Sequence, residues 1–344
     1  MRQPAIFFGH GSPMNALGGP FGAAWRELGH DIGKPQGVVM VSAHWETRGL
    51  GVTAQERPQT IHDFGGFPRE LHEMQYPAPG SPALAARVSA LTGAVQTEQW
   101  GLDHGTWSVL VHVWPEADVP IVQLSLNRDL TPRQHYDLAR SLRPLRDEGV
   151  VIAGSGDFVH NLRTWRRDVN AQPYDWAVNF NEAAKAAFLA GDHNAMIDWV
   201  GLAEDAQLSV PTDEHYLPVL YVAAQYASGE PIRFFNDQID GGSISMTGGA
   251  PRRGDPSLVR GQPATGRPGR RLVHGQRHRP DPAGGLRLLD YARDRIAGVE
   301  AYAGDPEAAR RSSGGRWLLE GVRLEFVRAF TQLFQATHHH LETQ

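Results

Sequence analysis

The first 250 residues predict an α/β domain built on a largely parallel sheet with helices on both faces. Three observations carry this. Short apolar, β-branched runs recur at Ala5–Phe8, Val38–Val41, Val119–Leu126, Val150–Ala153, Ile232–Phe235 and Ser243–Met246, with Gly or Pro at their borders. Several are apolar throughout, as strands covered on both faces must be. Helical patterns lie between them, and alternation of strand and helix builds parallel sheets.

Taken in order, Ala5–Phe8 runs into Gly9-His10-Gly11-Ser12-Pro13, and Val38–Val41 into Ser42-Ala43-His44-Trp45. Asp63–Pro68 and Tyr76–Gly80 are aromatic and rich in Gly or Pro, which suits either a surface loop or a substrate loop that presents rings. Pro82–Leu91 has a helical pattern, and the polar Leu102–Trp107 segment, holding His104, reads as a turn before the Val119–Leu126 strand. Thr131-Pro132 sets a capping residue before a proline at the first helical position, opening a helix expected to reach about Asp147, ahead of Gly149. Val150–Ala153 leads into Gly154-Ser155-Gly156-Asp157-Phe158-Val159-His160-Asn161. Asp175–Ala190 and Asn194–Asp205 read as helices. His215–Tyr226 does too, with Leu217, Leu220, Tyr221 and Ala224 on one face and Pro218 tolerated in the first turn.

Composition narrows the chemistry. The 344 residues include no cysteine, which excludes disulfides, thiolate nucleophiles, zinc fingers and iron–sulfur clusters, so any metal must be held by His, Asp or Glu. No apolar run approaches the roughly 18–20 residues that span a bilayer. The N-terminus lacks a signal-peptide pattern, so a cytoplasmic location without membrane contact is expected. Neither a dinucleotide glycine motif, nor a phosphate loop with lysine, nor a Gly-x-Ser-x-Gly elbow is present.

In open α/β sheets ligands gather beyond the carboxyl ends of the strands. Four of the eleven histidines before residue 250, namely His10, His44, His160 and His215, stand in strand-exit or helix-entry loops. Neutral imidazole is the commonest ligand for divalent transition metals, and three of them leave coordination positions open. A fourth suits proton transfer near neutral pH. Asp157, Asp213 and Glu214 lie nearby in sequence as carboxylates that could orient a ring or bind the metal themselves. Spacing alone therefore gives a histidine-rich metal site with open coordination, which fits a zinc hydrolase as well as other metal chemistry.

The segments holding these histidines resemble the class III extradiol ring-cleavage dioxygenases, the LigB-like superfamily, in its DOPA 4,5-dioxygenase-like branch. The resemblance rests on Gly9-His10-Gly11-Ser12-Pro13-Met14, Ser42-Ala43-His44-Trp45, Asp103-His104-Gly105-Thr106-Trp107, Val159-His160-Asn161-Leu162, Glu214-His215-Tyr216-Leu217-Pro218, Tyr76–Gly80 and Gly242–Thr247, and it covers about residues 4–248. It implies a three-layer α/β/α fold with a mixed, largely parallel central sheet. It implies one mononuclear metal held by His10, His44 and His215, with His160 as acid/base or fourth metal contact and His104 and Ser12 toward the substrate. The implied reaction opens a catechol ring, DOPA-like or related, with O2 to a semialdehyde. The oxygen chemistry calls for Fe(II), since zinc has no redox chemistry, although Zn(II) is a metal such proteins can carry as isolated. The alternative on the same scaffold is a zinc-dependent hydrolase or a metal-binding protein without turnover. Asp157 stands where the family pattern leads one to expect a neutral polar residue, and a charge there would raise the pKa of a nearby His160.

The net charge of −5 averages two unlike parts: residues 1–250 carry 17 basic and 28 acidic side chains, and residues 251–344 carry 16 basic, all arginine, and 10 acidic. The dioxygenase-like domain is accordingly expected over 1–248. Residues 251–285 hold six Pro, seven Gly and eight Arg with no aromatic residue, a composition that cannot bury a core, so 249–285 is expected to be a disordered linker. Amphipathic patterns at Leu286–Ala301 and Arg316–Phe334 suggest a helical extension over 286–344. The arginines invite a nucleic-acid arm, but the lack of lysine and of interleaved aromatic rings speaks against a nucleic-acid partner. His338–His340 reads as a solvated tail. A stretch favouring Arg, Gly, Pro and Ala also matches GC-rich DNA read out of frame, or an accreted extension.

Overall fold

A computed structural model of the chain describes residues 2–251, apart from 169 and 227–230. The elements run β1 (Ala5–Gly9), a 3-10 turn (Pro13–Leu17), α1 (Gly22–Ile32), β2 (Gly37–Thr47), β3 (Gly51–Thr53), α2 (Arg69–Glu73), α3 (Pro82–Thr92), β4 (Val95–Thr97), α4 (His104–Val113), β5 (Ile121–Asn127), α5 (Pro132–Arg140), α6 (Arg143–Asp147) and β6 (Val150–Gly156). They continue with α7 (Asp175–Ala190), α8 (His193–Ile197), a 3-10 turn (Trp199–Gly201), α9 (Ala206–Ser209), α10 (Leu217–Ala223), β7 (Ile232–Phe235), β8 (Ile239–Asp240), β9 (Ile244–Ser245) and β10 (Gly248–Pro251).

Eight strands form one mixed sheet in the order β4-β3-β5-β2-β6-β1-β10-β7. Its centre, β5-β2-β6-β1, is parallel, and β10 and β7 close one side antiparallel. Side chains alternate across the sheet. On β1, Ala5 and Phe7 join one core with β2 Val39 and Val41, β5 Leu124 and residues of α3, α5, α7 and α10. Ile6 and Phe8 join the other with Met40, Ile121, and Trp25 of α1 and Trp107 and Leu110 of α4. Both faces of the central strands are thus apolar and covered, which is why their sequences read as unbroken hydrophobic runs. No helix among the described residues is long and apolar enough to cross a membrane.

Several sequence expectations shift. The helix opening at Thr131 divides into α5 and α6. Pro144 offers no N–H and its ring crowds the carbonyl four residues back. The expected helix over Asn194–Asp205 is instead the short α8, ending at Ile197, and a 3-10 turn that contains Gly201, with α9 beginning only at Ala206. Leu102–Trp107 is no mere turn: Asp103 caps α4, its Oδ1 accepting the Thr106 N–H at 3.2 Å. Ser243–Met246 does not close the main sheet. Gly241 and Gly242, at φ of 56° and 87°, turn the chain so that Ile244–Ser245 pairs back on Ile239–Asp240 in a two-stranded hairpin. The closing strand is β10, where Gly249 sits opposite Phe7 on one side and Phe234 on the other. The compact fold therefore reaches residue 251, past the expected boundary at 248. The remainder of the expected linker over 249–285, the helical extension over 286–344 and His338–His340 lie outside the described residues.

Candidate metal centre

His10 leaves the end of β1. Its approach depends on Gly9, where a Cβ would lie 2.5 Å from the carbonyl carbon of Met246. The His10 N–H donates to Gly156 O at 3.2 Å, and Asn15 Nδ2 donates to His10 O at 2.9 Å. Ser155 Oγ lies 3.0 Å from His10 Nδ1 and donates to Gly105 O at 2.5 Å. A hydroxyl has one proton, so Ser155 must accept from His10 Nδ1–H, which leaves the lone pair of His10 on Nε2.

His44 owes its position to a bulge. Val41 pairs with Leu124, and pairing with β5 resumes only at Glu46 with Leu126. Ser42–Trp45 therefore pass against the single residue Ser125, and the strand bends and re-aims its side chains. His44 Nε2 comes within 3.0 Å of His10 Nε2, and His44 Nδ1 lies 3.6 Å from Asp63 Oδ2. His215 precedes α10, and its carbonyl receives the Asp157 N–H at 2.9 Å, so the end of β6 holds the start of that helix. This contact requires Gly156, where a Cβ would meet His215 O at 2.1 Å. His215 Nδ1 donates to Glu214 Oε1 at 3.0 Å, again leaving Nε2 free.

The ligating atoms of His10, His44 and His215 all lie within 4.8 Å of one another. Burial first, then the neighbouring imidazoles, holds the pKa of His10 and His215 well below the usual histidine value. His44 is lowered to about 3, by burial and His104, against the opposing pull of Asp63. Near neutral pH all three rings are neutral. Two Nε2 atoms turned on each other at 3.0 Å need a shared proton or a shared cation, and that spacing suits two ligands on one ion, each ~2 Å away. The donor set fits a divalent metal.

His160 is fixed by its N–H to Ser209 O at 2.8 Å and by a bridge to Ile244 of the small hairpin. Its ring stacks on His215 with centroids 3.5 Å apart and planes within 5°. Burial lowers its pKa to about 4, with Glu214 opposing and His104 adding to the fall. The charge expected from Asp157 is not felt there. With no exposed side-chain surface, Asp157 has its own pKa pushed well up by burial, against the pull of the Gly11 N–H.

His104, the first residue of α4, stands beside His44 with ring centroids 3.9 Å apart. Asp103 is buried and ties the helix start to the sheet through Ser42 Oγ at 2.7 Å and Gln123 Nε2 at 2.7 Å. Asp63, which sequence reasoning passed over, accepts the His104 N–H at 2.8 Å and lies 2.9 Å from His104 Nδ1. From the same glycine-rich loop Phe64 brings its ring to 5.6 Å from His104 and 6.1 Å from Trp107. Ser12 sits half-buried just after Gly11, where its hydroxyl accepts the Met14 N–H at 3.3 Å and caps the 3-10 turn.

Known proteins are similar to this chain over most of its length. Residues 20–230 match the family model described as the catalytic LigB subunit of aromatic ring-opening dioxygenase. The chain is 46% identical over 253 residues to the Escherichia coli K12 protein named 4,5-DOPA dioxygenase extradiol, covering 71% of this chain and 93% of that protein. It is 34% identical over 255 residues to the Beta vulgaris protein of the same name, covering 71% and 94%. The crystal structure of an uncharacterized protein from Escherichia coli K12 superposes with a TM-score of 0.64 at 41% identity, covering 73% of this chain and all of that one. By sequence, fold and site together, the chain belongs to the LigB family and is an extradiol aromatic ring-opening dioxygenase.

Proposed function

We propose that the protein opens a catechol ring related to DOPA with O2, using Fe(II) held by His10, His44 and His215. One observation carries the reading: three neutral imidazoles, those of His10 and His215 buried and that of His44 partly so, converge from the end of β1, the bulged part of β2 and the start of α10, with two Nε2 atoms 3.0 Å apart. The names of the curated relatives supply the DOPA-like substrate class. Bound Fe(II) would supply the redox capacity that zinc lacks. The chain's own residues do the rest. His160, neutral and parallel to His215, accepts the proton that a catechol hydroxyl gives up on binding. His104, held by Asp63, and the Phe64 ring form the wall against which an aromatic substrate lies.

The test is anaerobic loading with Fe(II), followed by L-DOPA or another catechol and O2. The expected result is a yellow ring-opened semialdehyde and one O2 consumed per product, with zinc-loaded protein inert. Protein verified to contain iron that takes up no oxygen with any catechol overturns the reading.

A further inference from the structure

We infer that Asp157 is a fourth donor to the metal held by His10, His44 and His215. Asp157 follows β6 directly and is tied to both histidine-bearing loops: its N–H donates to His215 O at 2.9 Å, and its Oδ1 accepts the Gly11 N–H at 3.1 Å. The first fixes the main chain and the second fixes one carboxyl oxygen. Its second oxygen, Oδ2, is buried with no hydrogen-bond partner and lies 4.0 Å from His10 Nε2. One ligating atom each from Asp157, His160 and His215 falls within 4.8 Å of the others, so the carboxyl borders the same space as the imidazoles. Buried polar atoms in folded proteins are almost always satisfied, and a lone exception in a cluster of ligands calls for a partner.

A purely structural role would need only Oδ1, and asparagine would perform it equally well. With its one oxygen accepting the Gly11 N–H, asparagine would set an N–H2 at the Oδ2 position, facing the lone pair of His10 and unable to bind a cation. A carboxylate there adds one negative charge to three neutral imidazoles and gives the mixed nitrogen and oxygen donor set found in non-haem Fe(II) oxygenases.

This inference rests on the metal-centre reading, and its test separates the two. The full-length wild-type protein and Asp157→Asn are titrated anaerobically with Fe(II), and separately with Zn(II), against a chromophoric chelator. The visible spectrum of each Co(II)-loaded protein is also recorded. Asp157→Asn is expected to bind both ions roughly tenfold or more weakly. Its cobalt bands should shift in position and intensity, and its metal-free form should melt no lower than wild type. Asp157→Ser, which lacks the second oxygen altogether, is expected to lose affinity to the same extent. Affinities within twofold of wild type together with superposable cobalt spectra overturn the role of Asp157 and leave the three-histidine centre standing. Wild-type protein that binds none of the three ions overturns both.

Discussion

His160 and its neighbours show how much of this site depends on which ring nitrogen holds a proton. His10 and His215 each commit Nδ1–H, to Ser155 and to Glu214, and so offer Nε2. His160 is placed by its backbone and by stacking on His215. Removing its ring leaves the three converging imidazoles in place. His160→Ala is therefore expected to keep wild-type metal content, measured by atomic absorption, while turnover falls ~10²–10⁴-fold, the range for loss of a positioned acid/base. Loss of metal instead would make His160 a ligand. The four histidines were legible in the sequence because each stands next to an apolar run or helical pattern, although His44 lies inside β2 at its bulge and not in an exit loop. Asp63 and Ser155 were not, because their partners lie 41 and 145 residues away and only the fold brings them together. Asp157 departs from the family pattern, but burial raises its own pKa well above the usual carboxylate value, and burial, Glu214 and His104 are what move His160.

The elements place these residues through irregularities rather than regular runs. A bulge in β2 turns His44, and the Asp103 cap starts α4 at His104. Apolar periodicity identified β1, β5, β6, α3 and α7 closely, because those elements bury whole faces, but gave only the first part of β2, which runs on through the polar Ser42–Thr47. It missed the start of α4, whose signal was one buried aspartate whose partners Ser42 and Gln123 lie on other strands. On the far face, α5 and α10 are joined by His135 Nδ1 and Tyr221 Oη at 2.9 Å. Burial lowers His135 from the ordinary 6.5 to about 4, opposed by a backbone hydrogen bond at Asn127. Between those values the unfolded chain binds a proton that the folded one does not. Stability is thus full above about pH 6.5 and falls as the pH drops toward about 4, by at most roughly 1.4 kcal/mol per unit from this residue. Urea titrations of wild type and His135→Gln across that range are expected to show a shallower pH slope in the variant, whatever its absolute stability. Parallel slopes would remove His135 as the source.

At the scale of the whole molecule, β10 joins the outer strand β7 to the main sheet. β7 hydrogen-bonds to the main sheet only through β10, and Ala250 of β10 is fully buried in the core that holds Ile6, Phe8 and Trp25. The expected boundary at 248 follows the extent of the family resemblance, with composition changing near residue 250, and neither reveals that the small residues Gly248, Gly249 and Ala250 pair as a strand. The Escherichia coli relative is matched over 93% of its length and this chain over 71%, so more than a quarter of this chain has no counterpart there. Residues 251–285 are rich in Arg, Gly and Pro, a composition expected not to form a core. Limited proteolysis of the full chain is therefore expected to leave a stable fragment that ends at or beyond Pro251 and keeps its metal. A chain ended at Pro251 should fold and bind metal like the full protein. One ended at Thr247 should not, because it leaves β7 without a partner strand and exposes the open edge of β1. Mass spectrometry of the resistant fragment and metal analysis of the two truncations decide the matter: equal folding and metal content in both would show that β10 is dispensable and that the domain does end at 248.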